Sequence, residues 1–267
     1  MKGNPAHEAY TAECIASGLS TRAIGRYIRW HDTLASTNDL AKRLADIPVP
    51  EGTVILAEEQ TAGRGRLGRP WVSPRGGIWL SVVLRPDLPL VRIPLIGLAA
   101  SIAVAGAIRA TTGLLARIKW PNDVLIGGQK VAGILVEAGP GADWVVVGIG
   151  INANVARRAL PDGTAYPVTS LEAALGRPVD RCALVRVLLL ELERQYDDLR
   201  ATGAAPVVRR WREITDTLGR RVRVEIACEE IEGLAADIDE RGALLVQRED
   251  GTRQYIIAGE ITVREVR

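Results

Sequence analysis

A chain of 267 residues, 47% hydrophobic and 25% charged, can form one large globular domain and a small one. A formal charge of only +2 excludes a protein that is basic over its whole surface, so any anion site is local. Cys14, Cys182 and Cys228 are far apart and odd in number. That spacing fits neither a metal cluster nor a disulfide framework, and predicts three reduced thiols in a cytoplasmic protein. His7 and His31 cannot by themselves build a His-rich metal site.

The polar start, MKGNPAHEAYTAE, has no apolar signal-peptide core. Residues 1–18 read as a short helix ending near Gly18. GRYIRWHDT alternates like a strand. STNDLAKRLADI opens with Ser36 and Asp39 three apart, a capping-box pattern, and continues with helical periodicity. EGTVILAEEQ is a strand. Thr61 to Gly77 carries five glycines, two prolines and four arginines, so it reads as a loop. GIWLSVVLRP is the next strand. IPLIGLAASIAVAGAI, between Arg92 and Arg109, contains Pro94 and is shorter than a membrane span needs, so it reads as a buried core helix.

LLARIKW is a further strand. DVLIGG and KVAGILVEAG form a hairpin across Gly127-Gly128, and DWVVVGIGIN is a strand ending in glycines. Residues 153–168 read as an irregular loop. DRCALVRVLLLELERQYDDLR is a long helix with Asp180 as its N-cap, and a second helix runs from about Pro206 to Leu218. After Leu218 the chain turns to short β-rich runs, which suggests a small barrel or sandwich. Hairpins and consecutive strands argue for an α+β fold, a mixed sheet with helices packed on one side. The expected organisation is an N-terminal helix and junction at 1–24, a main domain at 25–218 and a small β domain at 219–267.

AGRGRLGRPW raises the first chemical question. Gly63, Gly65 and Gly68 match G-x-G-x-x-G, the dinucleotide fingerprint. That fingerprint must open a helix, and Pro70, Pro74 and Gly76-Gly77 follow instead. Glycine lets backbone N–H groups approach a ligand, and arginine offers a planar fork for phosphate and carboxylate. Between Gln60 and Pro86 there are five arginines and no acid, a concentrated anion site; the bland alternative is a solvated basic loop. The run IKWPNDVLIGGQKVAGILVE brings Lys119, Asn122, Asp123 and Lys130 close in sequence, and GIGIN ends in Asn152. Taken singly, these are a turn, a surface lysine and a strand terminus.

Taken in order, STN at 36–38, EEQTAGRGRLGRPW at 58–71, KWPNDVL at 119–125, GQKVAGILVE at 128–137 and GIGIN at 148–152 resemble the biotin protein ligases, the biotin–[acetyl-CoA-carboxylase] ligase family. The resemblance covers roughly residues 18–267. It implies a class II synthetase-like catalytic domain followed by a small SH3-like barrel. It implies formation of biotinyl-5′-AMP from biotin and ATP with Mg²⁺, and transfer of biotin to a lysine of a biotin carboxyl carrier protein.

By this resemblance, Lys130, Arg66, Arg64 and Asp123 are the catalytic candidates. Ser36, Thr37, Asn38, Gln60, Gly63, Arg64, Gly65, Arg66 and Lys130 face biotin. Arg64, Arg66, Arg69, Trp71, Asn122, Asp123, Lys130 and Asn152 face ATP, and Asp123 organises Mg²⁺. Ser36 doubles as a helix cap. The residue covering the adenine is expected in the 153–168 loop. Leu67 and Pro70 stand where some members carry basic residues. The rivals are lipoate–protein ligation, a non-enzymatic biotin-binding module, and a biotin-responsive repressor. About seventeen residues precede the junction, too few for a helix-turn-helix, so no nucleic-acid partner is expected. No membrane partner is expected either, and a homodimer is allowed.

Overall fold

The computed structural model describes residues 10–161, 166–226, 229–257 and 260–263. The first part of the expected 1–18 helix and Cys228 lie outside them. What is described begins with α1 (Ala12–Ala16), capped by Thr11, whose side chain accepts from Cys14 N.

Seven strands build the main sheet: β1 (Ile28–Leu34), β2 (Val54–Gln60), β3 (Ile78–Leu84), β4 (Ala116–Lys119), β5 (Asp123–Ile126), β6 (Gln129–Ala138) and β7 (Val145–Ile151). Their order is β1-β2-β3-β7-β6-β5-β4. Only the β1–β2 pairing is parallel; the others are antiparallel. The β5–β6 hairpin turns on Gly127 (φ 55°) and Gly128 (φ 78°). Two consecutive positive φ angles are what a two-residue primed turn requires.

The two long helices cover one face of this sheet. Helix α3 (Ile93–Thr112) starts with a proline in its first turn and stops at Gly113 in the left-handed conformation. Through Ala105 it is apolar on all sides and almost wholly buried, while Gly106, Arg109 and Ala110 reach the surface. With the turn before it, α3 is long and apolar enough to cross a membrane, longer than the stretch between its flanking arginines suggests. Here it is a core helix, packed between the sheet and α5 (Arg181–Thr202). Asp180 caps α5 by accepting from Ala183 N. Helix α6 (Ala204–Ile214) joins the same layer.

One short helix lies on the opposite face. Helix α2 (Thr37–Ala45) packs Ala41, Leu44 and Ala45 against Ile55, Val83 and Val146. The neighbouring residues Val54, Leu56, Val82, Val145 and Val147 belong to the main core. This alternation is the period-two pattern of strands buried on both faces. A further short helix, α4 (Leu171–Leu175), capped by Ser170, follows the irregular loop and has no counterpart in the sequence reading.

The C-terminal strands β8 (Arg221–Ile226), β9 (Glu229–Ile238), β10 (Leu244–Gln247), β11 (Arg253–Ile256) and β12 (Glu260–Val263) form a five-stranded antiparallel sheet of order β11-β10-β9-β8-β12. It is anchored to the main sheet near the site. Trp120 Nε1 donates to Gly242 O at 3.0 Å, and Trp120 N donates to Thr217 Oγ1 at 2.8 Å.

The expectation of three reduced thiols is corrected for two of them. Cys14 and Cys182, both buried, form a disulfide across a sequence separation of 168. Helix α1 packs on α5, so the fold brings together two cysteines that spacing alone kept apart.

Candidate active site

The site lies on the α2 face of the sheet, over its centre. Register explains its shape. Trp79, Gly150 and Gly133 are partners across β3, β7 and β6, and so are Ser81, Gly148 and Leu135. The three glycines are required by what packs on them. A Cβ on Gly148 would lie 2.2 Å from Asn38 Oδ1, and one on Gly150 would lie 2.7 Å from Trp71 Nε1. At Gly133 it would be 3.0 Å from the Trp71 ring. The glycines therefore make a floor on which α2 and the arginine loop can sit.

Above this floor is a cavity of about 330 Å³, within the range that small-molecule sites occupy. Its apolar walls include Leu80, Ile134, Leu135, Ile149, Leu160 and Val168. Ser36, Thr37, Asn38, Gln60, Arg64, Gly65, Arg66, Arg69, Trp71, Asn122, Asp123, Lys130 and Asn152 all line it. Of the candidate residues only Gly63 stands behind the wall. A Cβ there would meet Trp71 O at 2.5 Å and Ser73 Oγ at 2.6 Å, so Gly63 lets the loop base close on itself.

One end of the cavity is a network of neutral polar groups. Ser36 caps α2, accepting from Asp39 N at 3.3 Å. Gln60 Oε1 accepts from Thr37 N at 2.8 Å and Thr37 Oγ1 at 3.0 Å, while Gln60 Nε2 donates to Ser73 Oγ at 2.9 Å. Ser81 Oγ lies 2.8 Å from Thr37 Oγ1 and 2.5 Å from Asn38 Oδ1. Thr37, Asn38 and Ser81 are buried, so this network is fixed before any ligand enters.

The other end is cationic. Lys130 Nζ is 2.6 Å from Asp123 Oδ1 and Lys119 Nζ is 3.7 Å from Asp123 Oδ2. Lys119 is buried, with its ammonium 3.4 Å over the Tyr166 ring. Lys130 Nζ stands 5.0 Å from the Trp71 ring centroid. Arg66 Nη1 donates to Asn122 Oδ1 at 3.3 Å, and Asn122 Nδ2 donates to Ile134 O at 2.7 Å. Asn122 thus ties the loop arginine to the β6 backbone. Arg64 points away from this end and pairs with Asp39 at the start of α2. Asn152 is buried and donates its amide to Thr169 O at 3.0 Å, which braces the loop leading to α4.

Asp123 was the residue expected to organise Mg²⁺. Among the described residues no group of three or more His, Cys, Asp or Glu is placed to hold a metal. The Asp123 carboxylate already faces two ammonium groups. These surroundings do not fit a resident divalent cation, which usually takes more oxygen ligands.

Sequence reasoning missed Lys119, Tyr166, Ser81 and the roles of Gly133, Gly148 and Gly150. Lys119 stood inside the KWPND run and read as a strand end. Ser81 carried no signal beyond an alternating strand.

Comparison with known proteins bears on this geometry. Residues 30–154 match the biotin/lipoate A/B protein ligase family, and residues 217–264 match the biotin protein ligase C-terminal domain. The chain is 38% identical over 248 residues to the bifunctional ligase/repressor BirA of Bacillus subtilis, an overlap of 91% of this chain and 76% of that protein. The chain belongs to the biotin protein ligase family. The ligase is also 38% identical to the biotin–[acetyl-CoA-carboxylase] ligase of Mycobacterium tuberculosis, covering 91% of this chain and 93% of that one. Among solved structures it resembles the biotin protein ligase of Aquifex aeolicus in complex with biotin and ATP, with a TM-score of 0.78 and 29% identity over 90% of this chain and all of that one (100%). The ligase therefore carries both cavity ends within a fold that, in that relative, holds biotin and ATP together.

Proposed function

We propose that this chain joins biotin to ATP in the cavity and passes the biotinyl group to a lysine of a biotin carboxyl carrier protein. The observation that carries this reading is the single cavity with a neutral polar network at one end and paired lysines at the other.

Biotin's ureido ring offers two N–H donors and one carbonyl acceptor on an apolar body. The buried Ser36, Thr37 and Asn38, with the half-buried Gln60, supply matching partners among apolar walls. The valeryl carboxylate then reaches toward Lys130 and Arg66. In the first step a carboxylate oxygen attacks the α-phosphorus of ATP. A P–O bond forms, the bond from the α-phosphorus to the bridging oxygen breaks, and pyrophosphate leaves. Two unit charges about 4 Å apart repel by about 4 kcal/mol at an effective dielectric of 20. Lys130 and Arg66 offset that repulsion and stabilise the charge in transit. Asp123 fixes the two lysines, and the ion of Mg·ATP is brought by the nucleotide rather than held by the chain.

The adenine end is assigned to the wall made by Leu160, Pro161, Tyr166 and Val168. This is the 153–168 segment, of which 162–165 lie outside the described residues. Gly65 to Arg69 cover the anhydride and keep water from it. In the second step the carrier lysine's neutral amine attacks the biotinyl carbonyl carbon. The C–N bond forms, the C–O bond to phosphate breaks, AMP leaves and the amine gives up a proton. No base is assigned; placement beside an activated acyl group supplies the rate.

The test is incubation with biotin, Mg·ATP and a carrier domain. The carrier gains one biotinyl group by mass, and the Lys130→Ala protein gives none at the native rate. Modification with lipoate in place of biotin overturns the reading.

A further inference from the structure

Glu137 has no part in the proposed chemistry, yet it stands directly behind the neutral end of the cavity. It lies on the site face of β6, in register with Val146. Its two oxygens serve different partners. Oε2 accepts from Asn38 Nδ2 at 2.8 Å, and Oε1 is 2.6 Å from Lys42 Nζ. Lys42 Nζ is also 3.3 Å from Asp39 Oδ1, the oxygen that pairs with Arg64 of the loop. A continuous line of polar contacts thus runs from Asn38 through Glu137, Lys42 and Asp39 to Arg64.

The chemistry of this line has a direction. A carboxylate only accepts hydrogen bonds. Asn38 must therefore turn its NH₂ toward Glu137 and its carbonyl Oδ1 toward Ser81 and the glycine floor. The opposite orientation would set two acceptor oxygens against each other. Burial alone would lower the pKa of the Lys42 ammonium, and Glu137 and Asp39 more than reverse that, so it stays raised and charged. Asp39 is free to hold both cations because the α2 cap uses only its backbone N–H.

We propose that Glu137 is a positioning residue for the Asn38 acceptor, and that Lys42 and Asp39 couple this acceptor to the docking of the arginine loop through Arg64. The inference rests on the biotin reading of the cavity. Biotin seated against Asn38 and a loop held by Asp39 then favour each other, and the coupling is reciprocal.

The experiment uses the full chain with Glu137→Gln, Asp39→Asn and the double variant. Biotin affinity is read by calorimetry and adenylation by pyrophosphate release. Glutamine keeps the volume of Glu137 but releases Lys42 and lets the Asn38 amide turn round. The expected result for Glu137→Gln is a biotin KM raised about ten- to hundredfold. The ATP KM, kcat at saturating biotin and the unfolding midpoint stay at native values. In the double variant the losses are not additive, as coupled sites require. A Glu137→Gln protein with the native biotin KM overturns the positioning role. An equal fall in activity toward both substrates with a lowered midpoint overturns it too, because that marks a structural residue. Additive losses overturn the coupling. If the unaltered protein activates biotin while Glu137→Gln matches it, only this inference falls. If the unaltered protein does not activate biotin, the functional reading falls and takes the inference with it.

Discussion

Lys130 holds its ammonium 2.6 Å from Asp123 Oδ1, the short distance of a charge-assisted contact. The pair is a close ion contact in a partly buried site, with Lys119 completing the charge on the other oxygen. Such an arrangement keeps a cation available to an incoming anion while fixing where it stands. In the proposed chemistry, Lys130→Ala removes the cation that meets the reacting phosphate. Adenylate formation is expected to fall about 10²–10³-fold, the usual cost of losing one preorganised group that stabilises transition-state charge. Lys130→Arg does not restore it, because a planar fork cannot take the place of a compact ammonium beside Asp123. Single-turnover formation of the adenylate, followed by radiolabelled ATP, checks both variants; native rates in Lys130→Ala would remove Lys130 from the chemistry.

The glycine floor makes a sharper claim about geometry. A Cβ at Gly148 falls 2.2 Å from Asn38 Oδ1, so Gly148→Ala must push the Asn38 amide out of place. The biotin KM is expected to rise by about tenfold or more, equivalent to one lost hydrogen bond in a buried site. The ATP KM should hold. Gly176→Ala is the control: its φ is +72° but nothing lies within 4 Å of the added atom. It should cost about 1–2 kcal/mol of stability and leave biotin binding alone. Steady-state kinetics with each substrate varied in turn separates the two. An unchanged biotin KM in Gly148→Ala would contradict the assigned biotin end.

Much of this site could be read from the sequence because its residues lie in short ordered runs. Ser36 to Asn38, Gly63 to Trp71 and Asn122-Asp123 each sit on one turn or loop, and local spacing preserves their chemistry. The helix and strand pattern was legible for the same reason: α2, α5 and the β5–β6 hairpin carry their own caps and turns. What was not legible depends on register and packing. Gly133 and Gly150 become neighbours only when β6 pairs with β7. Glu137 meets Asn38 across 99 residues of chain. Tyr166 reaches Lys119 only after an irregular loop folds back. The placement of α2 on the opposite face from α3 follows from alternate burial in β2, β3 and β7. Where they pack on the helices, Val54 to Ala57, Val82 to Leu84 and Val145 to Val147 are apolar on both faces, so no polar face marked it.

Glu193 carries a prediction about acid stability. Its carboxylate is buried and accepts backbone N–H groups from Arg22 at 2.8 Å, Ala23 at 2.8 Å and Ile24 at 2.9 Å. Burial would raise its pKa. The three N–H donors and the nearby Arg22 charge outweigh burial and hold it below the ordinary carboxylate value. A folded-state pKa below the unfolded one stabilises the protein fully above the unfolded value. That contribution is lost as pH falls through the folded value. Glu193→Gln should therefore lower stability at neutral pH by about 1.5–3 kcal/mol, the worth of hydrogen bonds to a charged group. It should also flatten the acid side of the stability curve. Urea unfolding from pH 3 to pH 7 tests this; parallel curves for the two proteins would show that Glu193 does not titrate with folding.

The Cys14–Cys182 bond ties α1 to the first turn of α5 across 168 residues of sequence. A cross-link that closes so long a loop restricts the unfolded chain strongly, and native disulfides typically contribute about 2–4 kcal/mol. Arg181, beside Cys182, pairs with Glu58 at 2.9 Å and stacks on Tyr10, so the bond also anchors the segment around Tyr10 against the end of β2. Reduction, or Cys14→Ser with Cys182→Ser, should lower unfolding free energy by about that amount. Neither cysteine lines the cavity, so kcat should stay native under folding conditions. Two measurements decide the matter. Alkylation of the unfolded, unreduced protein should leave Cys14 and Cys182 unmodified by mass, and urea curves with and without reductant should separate. Full alkylation without reductant, or superimposed urea curves, would show that the two thiols sit side by side without a bond.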